Sequence, residues 1–335
     1  MSKMNKSQAT YTGPATTYPY VHSQISINYI VTVLWKEGTW VCIEYDNSPN
    51  KSRAYVPASS VDITETNIPT FTPTNATRYI HTTANTYKGP SATSYTISSK
   101  LSKGVTVSYL GKKEGSFAFI EYTTSDTKKT RAYIIDTNLG TGIPTYKDYS
   151  GQDILTSAQL TLLNSNIPFY QNTAQSYNIP WQMLAAIHFR EYNLKKEGPS
   201  NKLGPYQITG KTYKVGELTD AEFQVATNDA AEHILKVAGS EDFSTVNGVK
   251  CGFFAYNGKS QLYKTQAINL GFTQTEANNG EGSPYVRNRA DLKRNPTVEP
   301  TKSNNTWGQI KTDGGILSYP ANSAHGAYVL YKEML

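Results

Sequence analysis

Over the first 140 residues, apolar and polar positions alternate in short runs. Asn28-Tyr29-Ile30-Val31-Thr32-Val33-Leu34-Trp35 is β-branched and aromatic, and Glu37-Gly38 follows as a turn. Trp40-Val41-Cys42-Ile43-Glu44-Tyr45 reads as the next strand, a polar loop runs from Asp46 to Ser52, and Ala54-Tyr55-Val56 closes the unit. The pattern then recurs with Val105 to Tyr109, a Glu114-Gly115 turn and Phe117 to Tyr122. Residue identities follow the same repeat. Tyr11-Thr12-Gly13-Pro14 answers Tyr87-Lys88-Gly89-Pro90, Ile43-Glu44-Tyr45 answers Ile120-Glu121-Tyr122, and Arg53-Ala54-Tyr55-Val56 answers Arg131-Ala132-Tyr133-Ile134. Strands this short and regular predict two small all-β barrels, at 8–64 and 84–140, joined by a Pro/Thr-rich linker at 65–83.

After a second linker at 141–151 the period becomes helical, and residues 152–335 are expected to form a mainly α domain. Ser157 to Leu163 predicts a helix stopped by Pro168, and Phe169 to Tyr177 a short second one. Pro180 suits a first helical position, opening a helix to about Tyr192. Asp220 to Ala238 is a clear helix with Phe223, Ala226, Ala230, Ile234 and Leu235 as its apolar stripe. More helix is expected in 241–275, and the tail from 300 is loop-rich, with no chemistry assignable to Trp307–Tyr331.

Charge changes the picture modestly. Residues 1–140 hold 14 Lys/Arg against 9 Asp/Glu, and the rest hold 18 against 17, so most of the net +6 lies in the β half. That half suits an anionic polymer, and no basic run or nucleic-acid motif favours DNA or RNA. The 25 tyrosines fit strand propensity or flat contacts with sugars equally well. Cys42 and Cys251 sit in no C-x-x-C or Cys/His pattern and read as unpaired thiols; no metal or cofactor is expected. Met1 to Pro14 lacks the apolar core of a signal peptide, and no apolar run is long enough to span a bilayer.

The candidate chemistry lies on the helix Ile179 to Glu191. Leu184, Ile187, His188 and Glu191 recur at three and four residues, which puts a carboxyl on or beside the apolar face near the helix C-terminus. Burial and the negative end of the helix dipole both favour the protonated acid, the form a glycosidic oxygen needs from a general acid. His188, one turn earlier, suits a hydrogen-bonding or packing role. No H-E-x-x-H or Cys/His signature supports peptide-bond cleavage.

Two resemblances follow. The T-Y-x-G-P opening, the G-[TS]-[WF]-x-x-I-E-Y strand and the R-A-Y-[VI] strand resemble the bacterial SH3-like domain, which implies two SH3-like barrels that bind peptidoglycan, with exposed tyrosines as contacts. Glu191, then Gly204-Pro205-Tyr206-Gln207-Ile208, Ala255-Tyr256-Asn257-Gly258 and Tyr285-Val286, resemble in that order the lytic transglycosylases and goose-type lysozymes, and imply a lysozyme-like domain. By that resemblance Glu191 matches the catalytic acid at the bond between N-acetylmuramic acid and N-acetylglucosamine. Gln207, Tyr256, Asn257 and Tyr285 match substrate-cleft positions. The chain departs from the family in having Tyr192, not Ser, after the Glu. An inverting hydrolase would need a second carboxylate, for which Glu197, Glu217 and Asp220 are candidates, although Asp220 also suits a helix cap. The implied protein is an endolysin-like enzyme whose partners are bacterial peptidoglycan and anionic wall polymers. It would be made in a host cytoplasm and act on the wall after release, or be virion-associated. The alternatives are lysozyme-type hydrolysis and a non-catalytic wall-binding or virion protein.

Overall fold

The computed structural model describes residues 1–124, 127–147, 153–269, 271–286, 309–312, 315–318 and 325–335. Part of the expected linker at 141–151, and most of the stretch between Val286 and the final helix, lie outside the described residues. The chain divides into two compact units, Met1–Pro144 and Thr145–Leu335.

The first unit is all β. Its first copy comprises β1 (Ser2–Met4), β2 (Gln8–Tyr11), β3 (Tyr20–Ile25), β4 (Ile30–Glu37), β5 (Trp40–Asn47), β6 (Asn50–Pro57) and β7 (Val61–Asp62). They form an antiparallel sheet in the order β3-β2-β6-β5-β4-β1-β7. The second copy, β8 (Ala76–Ile80), β9 (Ala84–Tyr87), β10 (Ile97–Leu101), β11 (Thr106–Glu114), β12 (Phe117–Thr123), β13 (Lys129–Ile135) and β14 (Leu139–Gly140), runs in the order β10-β9-β13-β12-β11-β8-β14. The expectation of two closed SH3-like barrels is therefore corrected. Among the described residues the end strands of each order do not pair, so both sheets are open.

The two copies pack against each other. Each has its own core, Met4, Val33, Ile43 and Val56 in one and Ile80, Val107, Ile120 and Ile134 in the other. A third core is shared, joining Trp35, Cys42 and Tyr55 to Leu110, Phe119 and Tyr133. Val41, Ile43, Ala54 and Val56 point into their own copy's core, so their neighbours Cys42 and Tyr55 lie on the opposite face of the sheet, and that face is covered by the other copy. The contact is reciprocal. Arg53 Nε donates to Glu44 of its own copy (2.8 Å), and Nη1 donates to Glu114 (2.8 Å) and the Tyr133 hydroxyl (2.8 Å) of the other. Arg131 repeats the set: Nε to Glu121 (2.9 Å), Nη1 to Glu37 (2.7 Å) and to the Tyr55 hydroxyl (3.2 Å). The Tyr95 hydroxyl donates across to Glu44, and the Tyr18 hydroxyl to Glu121 (2.6 Å). Equivalent residues contact each other's counterparts, as in an isologous dimer.

This docking explains the repeated motifs. A Cβ on Gly13 would fall 2.2 Å from the Tyr18 ring, and one on Gly89 2.2 Å from the Tyr95 ring. The T-Y-x-G-P glycine thus admits the tyrosine that reaches across. The I-E-Y and R-A-Y motifs supply the Glu, Arg and Tyr it meets. A cavity of about 20 Å³, room for one water, lies among Trp35, Arg53, Tyr55, Phe119, Arg131 and Tyr133. Tyr55 and Tyr133 are 1% exposed, so these tyrosines are packed rather than displayed.

The second unit is mainly helical: α1 (Ser157–Tyr177), α2 (Trp181–Tyr192), α3 (Asp220–Ala238), α4 (Val246–Tyr256), α5 (Gln261–Asn269), α6 (Gln274–Asn278) and α7 (Ala327–Glu333). Two small two-stranded antiparallel sheets accompany them, β15 (Glu197–Gly198) with β16 (Gly216–Glu217) and β17 (Gln309–Thr312) with β18 (Gly315–Ser318). Pro168 does not stop α1, which runs through it. An interior proline costs about 3 kcal/mol. Burial of Leu160, Leu163, Ile167 and Tyr170 on both sides of it offsets that. Pro180 caps α2 from one residue before its start (φ −62°) rather than opening it. Thr219, not Asp220, caps α3, in a reciprocal pair with Glu222. Leu235 is 37% exposed and falls outside the stripe, where Ala231 is buried instead.

Candidate active site

Every residue of α2 from Trp181 to Phe189 is buried, so this helix runs through the interior of the helical unit. Arg190 and Glu191 stand where it emerges, and both are half-buried. The Glu191 carboxyl is therefore at the edge of the apolar interior rather than within it. The helix ends on Asn193 in the left-handed region (φ 53°), and Leu194 (φ 65°) continues the reversal.

Three of the expected residues meet here. The Tyr285 hydroxyl donates to Glu191 Oε1. Tyr285 is 2% exposed, is stacked on Tyr256 (centroids 6.3 Å, 28°), and carries the Arg190 guanidinium 5.6 Å above its ring. Tyr256, the last residue of α4, sends its hydroxyl to the Tyr206 carbonyl (2.6 Å) rather than to Glu191. Burial first, then the negative charge of Glu191, raise the Tyr256 phenol well above its ordinary range. It is a neutral donor at any ordinary pH.

The other expected residues are tied in less directly. Asn257 Nδ2 donates to Ser283 Oγ (3.3 Å), and that oxygen also accepts the Tyr285 backbone N–H (3.2 Å). Gln207 folds onto its own turn, with Nε2 2.9 Å from the Gly204 carbonyl and Oε1 2.5 Å from Asn201 Nδ2. That turn needs glycine at 204: φ is +73°, and a Cβ would lie 2.4 Å from the Tyr213 ring.

The three carboxylates separate clearly. Asp220 is exposed and ion-paired with Lys196. Glu197 and Glu217 sit directly opposite each other on β15 and β16. The flanking bond runs from Leu218 N to the Lys196 carbonyl (3.1 Å), which makes this a non-hydrogen-bonded pair with side chains at closest approach. No cation lies within salt-bridge distance of either among the described residues. Nor is any group of three or more His, Cys, Asp or Glu placed to hold a metal there.

Sequence reasoning missed several supports. Tyr206 acts through a backbone carbonyl, which leaves no side-chain signal. Ser283 is fully buried beside Asn257. The N–H of Tyr328 on α7 donates to the Tyr285 carbonyl (2.8 Å), and the apolar run Tyr328-Val329-Leu330-Tyr331 was the available clue. An open concavity of about 540 Å³ lies elsewhere, lined by Tyr177, Ile179, Glu241, Asp242 and Phe243 among others, and no site residue borders it. No described helix is long and apolar enough to cross a membrane. Comparison with protein-family models, curated proteins and solved structures finds no match.

Proposed function

We propose that the helical unit cleaves the glycan strands of bacterial peptidoglycan, with Glu191 as general acid at the bond between N-acetylmuramic acid and N-acetylglucosamine. The reading is carried by the hydrogen bond from Tyr285 to Glu191, with Tyr256 stacked on Tyr285, since the three residues come from different signatures in the lytic transglycosylase order. The protonated Glu191 gives its proton to the glycosidic oxygen as the bond from C1 breaks. Its carboxylate then takes the proton of the muramic C6 hydroxyl as that oxygen closes on C1, leaving a 1,6-anhydro end. Tyr285 fixes the carboxyl, and the half-buried Tyr256 stacked on it and Arg190 hold Tyr285. In the same reading the β unit, with most of the net positive charge, holds the wall and its anionic polymers and raises the local substrate concentration. The protein would be of the endolysin type, reaching the wall by release or on a virion.

Hydrolysis is the second reading, favoured by the facing Glu197 and Glu217, one of which would activate water. Mass spectrometry of peptidoglycan fragments from wild type and Glu191→Gln separates the outcomes. Anhydro-muramic ends from wild type alone support transglycosylation, and reducing ends support hydrolysis. No fragments from wild type would reject the enzyme and leave a wall-binding or virion protein.

A further inference from the structure

His188 is wholly buried one turn before Glu191, and the proposed reaction does not use it. Its Nε2 lies 3.0 Å from the Lys195 carbonyl oxygen, and its Nδ1 lies 2.8 Å from the Tyr170 hydroxyl. A carbonyl only accepts, so Nε2 carries the proton and Nδ1 accepts from Tyr170.

Lys195 belongs to the turn by which the chain leaves Glu191. That turn holds Leu194, a fully buried side chain at φ 65°, a conformation that outside contacts must sustain. Asn166 of α1 supplies one, donating to the Leu194 carbonyl at 2.9 Å, and His188 supplies the next. Against the same imidazole packs the Tyr206 ring, 4.9 Å between centroids and tilted by 33°. Tyr206 is also the residue whose carbonyl takes the Tyr256 hydroxyl. The ring thus touches both things that frame Glu191, the backbone leaving it and the support of the tyrosine beside it.

We propose that His188, oriented by Tyr170, is a positioning residue that fixes the Glu191 carboxyl by clamping the Lys195 turn and backing Tyr206. The proposal rests on Glu191 being the general acid. Tyr170 from α1, Tyr206 from its loop and Phe223 from α3 enclose the ring, and none brings a charge to it. Burial lowers the imidazole pKa to about 3, so it stays neutral while it works.

The test compares His188→Leu, His188→Gln, Tyr170→Phe and Glu191→Gln in the full chain, with kcat and KM on soluble glycan strands and a melting curve for each. A displaced acid is expected to lower kcat about 10- to 100-fold in His188→Leu with KM changed less than about twofold. His188→Gln, whose amide still donates to Lys195, recovers most of that. Tyr170→Phe falls between. Folded His188→Leu and Tyr170→Phe proteins with wild-type kcat overturn the proposal. Nitrogen NMR of His188 in the wild type covers variants that do not fold. The Nε2-protonated tautomer without titration from pH 7 to 4 is expected, and the other tautomer or a titration overturns it. An active Glu191→Gln removes the reading of the acid while the tautomer still reports the clamp. An inactive Glu191→Gln beside a fully active His188→Leu removes the clamp alone.

Discussion

Replacing Arg131 by Met weighs the docking of the two β copies. Arg131 is 9% exposed and bonds Glu121, Glu37 and Tyr55 together. Met fills most of the volume but strands Glu121, itself 8% exposed, on Tyr18 and on Lys129 at 3.2 Å. Removing one partner of a buried ion pair costs about 3–5 kcal/mol, and the contacts left to Glu121 put the expectation near ~3 kcal/mol. Arg53→Met should cost less, about 2 kcal/mol, because its partner Glu114 reaches water more freely: the Glu114 side chain is 28% exposed against 14% for Glu37. Urea-dependent hydrogen exchange at amides of β5, β6, β12 and β13 reads these values locally. Both costs should also shrink in acid. Burial alone would raise the Glu44 and Glu121 carboxyls, but bonds from Tyr95 or Tyr18 and from the arginines outweigh it and hold both below the ordinary 4.5. A carboxyl lowered by folding stabilises above its ordinary pKa and stops doing so as pH falls through the folded one. A cost under about 1 kcal/mol, the worth of an exposed pair, would refute the argument.

Further expectations concern the helical unit. Tyr285→Phe removes the hydroxyl on Glu191 and should lower kcat about 10-fold or more with the fold intact, measured by fragment release and circular dichroism. Glu217→Gln relieves the like-charge pair with Glu197 and should stabilise by a few tenths to about 1 kcal/mol in a urea titration; a loss of stability would mean the pair is compensated. Because folding lowers the His188 pKa from 6.5 to about 3, the unfolded chain binds a proton that the folded one refuses. Melting temperature should therefore fall as pH drops from 6.5 towards 3, less steeply in His188→Gln.

The β-branched runs of β4, β5, β11 and β12 were legible because period-two patterning and turn residues coincide in them. β1, β7, β8 and β14 were not, since strands of two to five residues carry no period to read. The docking of the copies was illegible for a different reason. Arg53 and Glu114 are separated by 61 positions, and their pairing exists only once both sheets have formed. The resemblance implied exposed tyrosines as wall contacts, whereas Tyr55 and Tyr133 of the R-A-Y motifs are buried where the copies meet. At the candidate site, motif order drew attention to Glu191, Tyr256 and Tyr285. What holds them, the Tyr206 carbonyl, the left-handed Leu194 and the Tyr328 amide, is backbone, and backbone geometry has no letter in the sequence. Pro168 misled because its local cost is real and only tertiary packing outweighs it.

The reciprocal faces of the β unit have a consequence for dilution. Two separate molecules with these faces would part at low concentration, because each must find the other. Joined by Ile63 to Asn75 between β7 and β8, each copy meets its partner at a concentration set by the tether alone, of millimolar order for a short connection. The assembly holds equally at one molecule per cell or at saturation. It is also freed from the rule that both halves keep one sequence, and this has already been used: Trp35 in one copy lies under Lys112 of the other, its ring 4.7 Å from the ammonium, a pairing that two identical chains could not make at one position.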